Sequence, residues 1–96
     1  MLFAYLFTDK SNSLDLRMKV RPAHLAYLET LGSSLKFAGP FTDDAGQSNG
    51  TLMVCEATDR AAAEAIAAAD PYAKAGLFSH VEIKPWKWLI KNPESK

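Results

Sequence analysis

The groups in this sequence best suited to proton chemistry on a small molecule are the imidazole of His24, the carboxylate of Asp70 and the guanidinium of Arg21. A histidine titrates near neutral pH, and a carboxylate bonded to one ring nitrogen fixes the tautomer and makes the other nitrogen the better base. Asp70 precedes Pro71, so a helix should end there, where the helix dipole disfavours a negative charge and a partner such as His24 or Arg21 would hold it. Arg21 stands three residues before His24, a neighbouring position on a helix surface, and its planar fork suits an anionic substrate group. Tyr72 offers a phenolic proton, and Gly39-Pro40 offers the wall of a cleft. Each has a plainer reading: His24 packs, Asp70 ends a helix, Arg21 makes a surface ion pair, Tyr72 fills the core and Gly39-Pro40 opens a long hairpin. On residue types alone the plainer reading is the default, since charged pairs are often purely structural.

Other chemistry finds little footing. Cys55 is the only cysteine of 96 residues, so no internal disulfide forms, and an unstapled small domain fits a reducing, cytoplasmic setting. His24 and His80 without a second cysteine leave a zinc site short of its usual ligands. The glycines lack the spacing of a phosphate-binding loop, and no serine carries a nucleophile motif. Eleven basic residues balance eleven acidic ones, so no basic face is offered to nucleic acid. The one basic drift, Lys84, Lys87, Lys91 and Lys96, reads as a solvated tail. The apolar run Leu2–Phe7 is too short to span a membrane and lacks the flanks of a signal peptide, so it reads as a buried strand.

The chain has the length of one domain, 1–96, with 88–96 as a C-terminal tail. The first strand covers residues 2–8. A helix follows from Leu14 to Leu31, with Leu25, Leu28 and Leu31 at helical spacing, a break near Val20-Arg21 and a restart at Pro22; Gly32 stops it. Leu35–Gly39 is a short strand, Phe41–Gly50 a loop and Thr51–Glu56 a third strand. Thr58 or Asp59 caps a helix running through Ala69, Tyr72–Ala75 adds a turn closed by Gly76, and Leu77–Lys84 is a last strand ended by Pro85. Trp86–Ile90 form an amphipathic tail.

The order β-α-β-β-α-β is that of an α+β, ferredoxin-like sandwich, with two helices on one face of a four-stranded antiparallel sheet. Two consequences follow. The first strand is apolar on both sides, Leu2, Ala4 and Leu6 against Phe3, Tyr5 and Phe7, and the third repeats this with Leu52 and Val54 against Met53 and Cys55. One face goes under the helices and the other needs cover, which a second copy packed sheet to sheet would supply; parity alone does not decide which set faces the partner. The topology also gathers Thr8-Asp9, Arg21–His24, Gly39–Gly50 and Asp70–Tyr72 at one edge, bringing His24 and Asp70 together.

The blocks Arg21-Pro22-Ala23-His24-Leu25, Gly39-Pro40, Gly50, Asp70-Pro71-Tyr72, Gly76-Leu77-Phe78 and Val81…Lys84-Pro85-Trp86, in that order from Met1 to about Trp88, resemble the YCII-related family. The resemblance implies a dimeric α/β barrel of two ferredoxin-like protomers and an active-site cleft holding the histidine and aspartate, here His24 and Asp70. It tips the balance toward a functional pair. Within that family a branch associated with chloroaromatic breakdown looks like a dehydrochlorinase, and related barrels include lactone isomerases and small monooxygenases; none of this fixes a substrate here, and function carried across a fold is analogy.

The leading expectation is therefore a cofactor-independent acid/base enzyme acting on a small organic molecule by elimination, isomerisation or hydrolysis. His24 and Asp70 would be catalytic, and Arg21, Gly39, Pro40 and Tyr72 would bind substrate, without metal or cofactor. The alternatives are a non-catalytic or stress-related dimer that binds an anionic ligand in the same cleft, and an accessory subunit whose apolar sheet face meets another protein. A small pocket with a shielded imidazole favours catalysis and an open groove favours binding.

Overall fold

The computed structural model describes residues 1–94, so Lys96 and the end of the tail lie outside the described residues. Strand β1 (Leu2–Asp9) leads to helix α1 (Leu14–Thr30), strands β2 (Leu35–Thr42) and β3 (Ser48–Glu56), helices α2 (Arg60–Ala69) and α3 (Pro71–Lys74), and strand β4 (Phe78–Trp86). The sheet is antiparallel throughout in the order β2-β3-β1-β4, which is the expected ferredoxin-like arrangement.

Alternation along β1 decides the faces. Phe3, Tyr5 and Phe7 are 1%, 0% and 1% exposed and form the core with Met53, Cys55, Leu28, Ala63 and Ala67. Their register partners on β3, Cys55, Met53 and Thr51, share that face. Leu2, Ala4 and Leu6 therefore occupy the open face, beside Leu52 and Val54 of β3 and Phe37 and Phe41 of β2, while β4 adds Trp86 and the polar row His80, Glu82 and Lys84. The tail after Trp86 folds back over one end of this face. Trp88 packs edge-on against Phe37 at 5.1 Å, and Lys36 pairs with Glu94 at 2.9 Å.

The helices follow their local chemistry. Asp59 caps α2 by accepting from the Ala62 N–H at 2.8 Å. Alanines at 63 and 67 let α2 lie close to the sheet, where its Ala63 carbonyl accepts from Tyr5 Oη at 2.9 Å and its Ile66 carbonyl from Tyr27 Oη at 2.8 Å. Gly76 closes α3 with φ +75.

Three expected boundaries move. Helix α1 is continuous through Pro22 rather than broken before it. Pro22 is exposed, so the carbonyl that loses its N–H partner can be hydrated. The 41–50 loop contracts to the turn between Thr42 and Ser48, because the Asp43 carboxylate accepts from the N–H groups of Ala45 and Gln47 and lets the ladder run on. Pro85 does not end β4: it pairs with Phe3 inside the ladder. Both β4 and β2, which carries Pro40, are edge strands, where a missing N–H costs the sheet no bond.

Two stability measurements follow from this packing. A Cβ on Gly50 would lie 2.5 Å from the Phe7 carbonyl oxygen and 3.3 Å from the Phe41 ring. Gly50→Ala therefore forces β1 and β3 apart and lowers unfolding free energy by about 1–3 kcal/mol, read by urea titration. Burial pushes the Cys55 thiol from 9.0 up to about 11 and raises the Tyr5 hydroxyl further still. Between those two thiol values the unfolded chain has already released the proton that the folded chain keeps, so stability falls as pH rises through this window. The slope is shallower in Cys55→Ala, and a slope equal to that of the wild type would show that the thiol does not contribute.

Candidate active site

Asp70 is fixed before His24 is considered. It ends α2 and begins α3, and its Oδ1 accepts from the Tyr72 N–H at 2.9 Å, with Pro71 at the first helical position. The α3 N–H thus compensates a carboxylate that sequence alone places unfavourably at the end of α2. Asp70 is 0% exposed, and His24, reaching in from α1, is 5% exposed. Nδ1 of His24 lies 2.9 and 3.0 Å from the two carboxylate oxygens. A carboxylate accepts only, so this hydrogen bond assigns the ring proton to Nδ1 and leaves the Nε2 lone pair unused in the neutral ring. Nε2 makes no hydrogen bond within the protein, yet no buried side-chain nitrogen or oxygen lacks a partner among the described residues; Nε2 therefore reaches open space.

That space is a cavity of about 320 Å³ between α1, α3 and the β2–β3 ladder. Met18, Leu25, Leu28 and Ala38 give it apolar walls, and Arg17, Arg21, Ser48, Thr51 and Tyr72 give it polar ones. Of the residues expected from the sequence, His24, Arg21, Gly39, Pro40 and Tyr72 line it, while Asp70 stands behind His24, sealed from it. Gly39 and Pro40 belong to strand β2, so they form a wall fixed by the ladder.

Tyr72 organises this wall. Its ring stacks on the His24 imidazole, 4.0 Å between centroids at 17°, and the Arg17 guanidinium carbon lies 4.8 Å from its centroid. Burial pushes the Tyr72 hydroxyl up, against the opposing pull of Arg17 and Arg21, so the phenol stays protonated at neutral pH.

Arg17 is the residue that sequence reasoning missed. It is 5% exposed, and its Nη1 donates to both Asp9 oxygens at 3.2 and 3.0 Å while Nη2 donates to Thr51 Oγ1 at 2.8 Å. The available signal was spacing: Arg17 precedes His24 by seven residues, two helical turns on one face. The expected convergence of loops is also only partly realised. Thr8, Asp9 and the turn residues Asp43 and Gln47 line a separate polar hollow of about 330 Å³. Ser48 borders both spaces, while Asp9 faces one and its partner Arg17 the other. Trp86 and Trp88 sit far from both, around an apolar hollow of about 630 Å³ with Met1, Leu2 and Leu89. His80 is on the surface, 3.6 Å from Glu82, and Cys55 is sealed in the core.

With this geometry in hand, comparison with known proteins is direct. The chain is 41% identical over 95 aligned residues to Protein YciI of Escherichia coli O6:H1, covering 91% of this chain and 97% of that one. An uncharacterized protein of Haemophilus influenzae is 35% identical over the same coverage. Among solved structures, 5-chloro-2-hydroxyhydroquinone dehydrochlorinase from Burkholderia phenoliruptrix, in complex with 2,5-dihydroxybenzoquinone, matches with TM-score 0.82 and 33% identity over 91% of this chain and 94% of that one. SnoaB of Streptomyces nogalater, a cofactor-independent oxygenase, shares the fold alone, with TM-score 0.55 and 11% identity over 95% and 96% of the two chains. A model of the YCII-related domain matches residues 1–87. Nearly the whole chain is covered, from β1 through the end of β4, and it belongs to the YCII-related family.

Proposed function

We propose that the cavity is the active site of a cofactor-independent acid/base enzyme acting on a small organic molecule by elimination, isomerisation or hydrolysis. One observation carries the reading: a buried imidazole whose Nδ1 is held by a buried carboxylate and whose Nε2 opens onto a small, largely apolar cavity. His24 moves the proton through Nε2, and Asp70 holds the ring in the tautomer that leaves Nε2 basic. Arg21, exposed and without an ion-pair partner among the described residues, draws an anionic group to the mouth; Gly39, Pro40 and Tyr72 shape the walls. The match to a dehydrochlorinase favours elimination within this class. Arg21 would serve a binding module equally well, so turnover decides between the two.

The substrates to test are chlorinated hydroxyhydroquinones and enolisable ketones, the latter followed by deuterium exchange. His24→Gln and Asp70→Asn each lower the rate by roughly 10²–10⁴-fold. In Asp70→Asn the fold persists and the proton of the neutral ring moves from Nδ1 to Nε2, read from its ¹⁵N shifts. A His24→Gln protein as fast as the wild type would overturn the assignment, and specific binding without turnover would establish the binding module instead.

The same reading includes a cytoplasmic homodimer built sheet to sheet. Leu2, Ala4, Leu6 and Leu52 are half-buried on the open face, and Phe41 and Trp86 are 41% and 38% exposed there. Helices fill the other face, so a second copy is the partner whose surface matches by symmetry. Sedimentation should show a dimer at micromolar concentration; a stable monomer would sink this part of the proposal.

A further inference from the structure

The cavity holds more positive charge than a proton-transfer pair needs. Arg17 and Arg21 come from the same helix as His24 and line the same space. Among the described residues no acidic oxygen lines it: Asp70 is sealed behind His24, and Asp9 lies on the far side of Arg17. Strands β2 and β3 contribute only uncharged residues, Ala38, Gly39, Pro40, Ser48 and Thr51, and α3 contributes the protonated Tyr72.

Arg17 is the better placed of the two cations for chemistry. Asp9 takes Nη1 and Thr51 takes Nη2, so the guanidinium is locked in place. Its Nε–H makes no hydrogen bond within the protein and is not sealed off, and the cavity is the space Arg17 lines. Arg17 and His24 line the same cavity, so a molecule that fills it can meet both. A fixed, nearly dry donor beside a base is the arrangement that stabilises charge as it develops on an oxygen.

Building on the acid/base reading, we infer that Arg17 forms the oxyanion site of this cavity, and that the substrate is a carbonyl compound with an acidic C–H, bound so that its oxygen meets Arg17 when His24 takes the proton. The step balances without a further reactant. Nε2 of His24 accepts the proton from carbon, the C–H electron pair becomes the new C=C bond, and the carbonyl π pair moves to oxygen as an enolate held by the Arg17 N–H. Collapse of the enolate restores the carbonyl. It either takes the proton back from the imidazolium at another carbon, which is isomerisation, or expels a leaving anion and leaves the proton to pass from His24 to water, which is elimination. Arg21, at the mouth, draws the anionic part of the substrate and is not the oxyanion donor.

The probe is 4-nitrophenol, which absorbs in the visible as the phenolate and so reports the stabilisation of an oxyanion directly. Wild-type protein should bind it with its ionisation shifted to lower pH by roughly 1–3 units, as an opposite charge within contact range does. Arg17→Gln abolishes most of that shift. Because that variant strands the Asp9 carboxylate, the pair Asp9→Asn with Arg17→Gln is made as well; it keeps polar contacts without the buried charge and should show the same loss. Arg21→Gln weakens binding and keeps the shift. His24→Gln also keeps it, since the arginines are intact, so a failed base and a failed oxyanion site leave different signatures. An unchanged shift in the double variant, a lost shift in His24→Gln, or no binding of the phenol to wild-type protein would each overturn the assignment of Arg17.

Discussion

The carboxylate of Asp70 carries two obligations at once, and the site is organised around both. It accepts from the Tyr72 N–H, which starts α3, and it accepts from His24 Nδ1, which ties α1 to that start. A buried charge is expensive unless hydrogen-bonded, and these contacts are what make a fully enclosed carboxylate tolerable. The consequence for function is directional. Starting α3 there brings the Tyr72 ring onto the imidazole, and holding Nδ1 sends Nε2 outward to the cavity. Local capping and site geometry are one interaction, so the residue cannot be optimised for either role alone.

A second buried ion pair supports the other end of the cavity. Asp9 ends β1, Arg17 lies in the first turns of α1, and Thr51 belongs to β3, so the guanidinium joins the consecutive β1 and α1 to a strand 34 residues further on. Breaking such a pair on one side leaves an uncompensated charge, which is the costly case. Tyr72 touches the guanidinium and the imidazole alike, and two polar clusters thereby meet across one aromatic ring.

The parts of this architecture visible in the sequence are those governed by local rules. The double apolar alternation of β1, the Thr58-Asp59 cap and the Asp70-Pro71 break followed by Gly76 led to the correct element order, and from the order the meeting of His24 with Asp70. The errors have physical causes. Pro22 reads as a break, but it lies on a solvent-facing turn, where the carbonyl that loses its partner is open to hydration. Pro85 reads as a strand end, but only because sequence does not reveal that β4 lies at the edge. Arg17 escaped notice because the buried stripe of α1 runs Arg17, His24, Leu28, mostly polar, and an apolar pattern search passes over it. Its partners Asp9 and Thr51 lie on strands, so apart from its spacing to His24 nothing along the helix marks it as buried.

The prolines of the two outer strands have a bearing on how copies of this molecule associate. An exposed strand edge is a template for pairing with another chain, and uncontrolled pairing leads to fibrils and aggregates. Here Pro40 sits in one rim strand and Pro85 in the other, each removing a donor that an incoming strand would need. Extension of the sheet sideways is thus discouraged at both rims, while the middle of the face between them, with Leu6, Leu52, Val54 and Phe37, stays apolar beside the charged row Glu82 and Lys84 of β4. The closed, face-to-face association proposed above would bury that surface once and so terminate growth, whereas an open-ended, ribbon-like one would meet a proline at either rim.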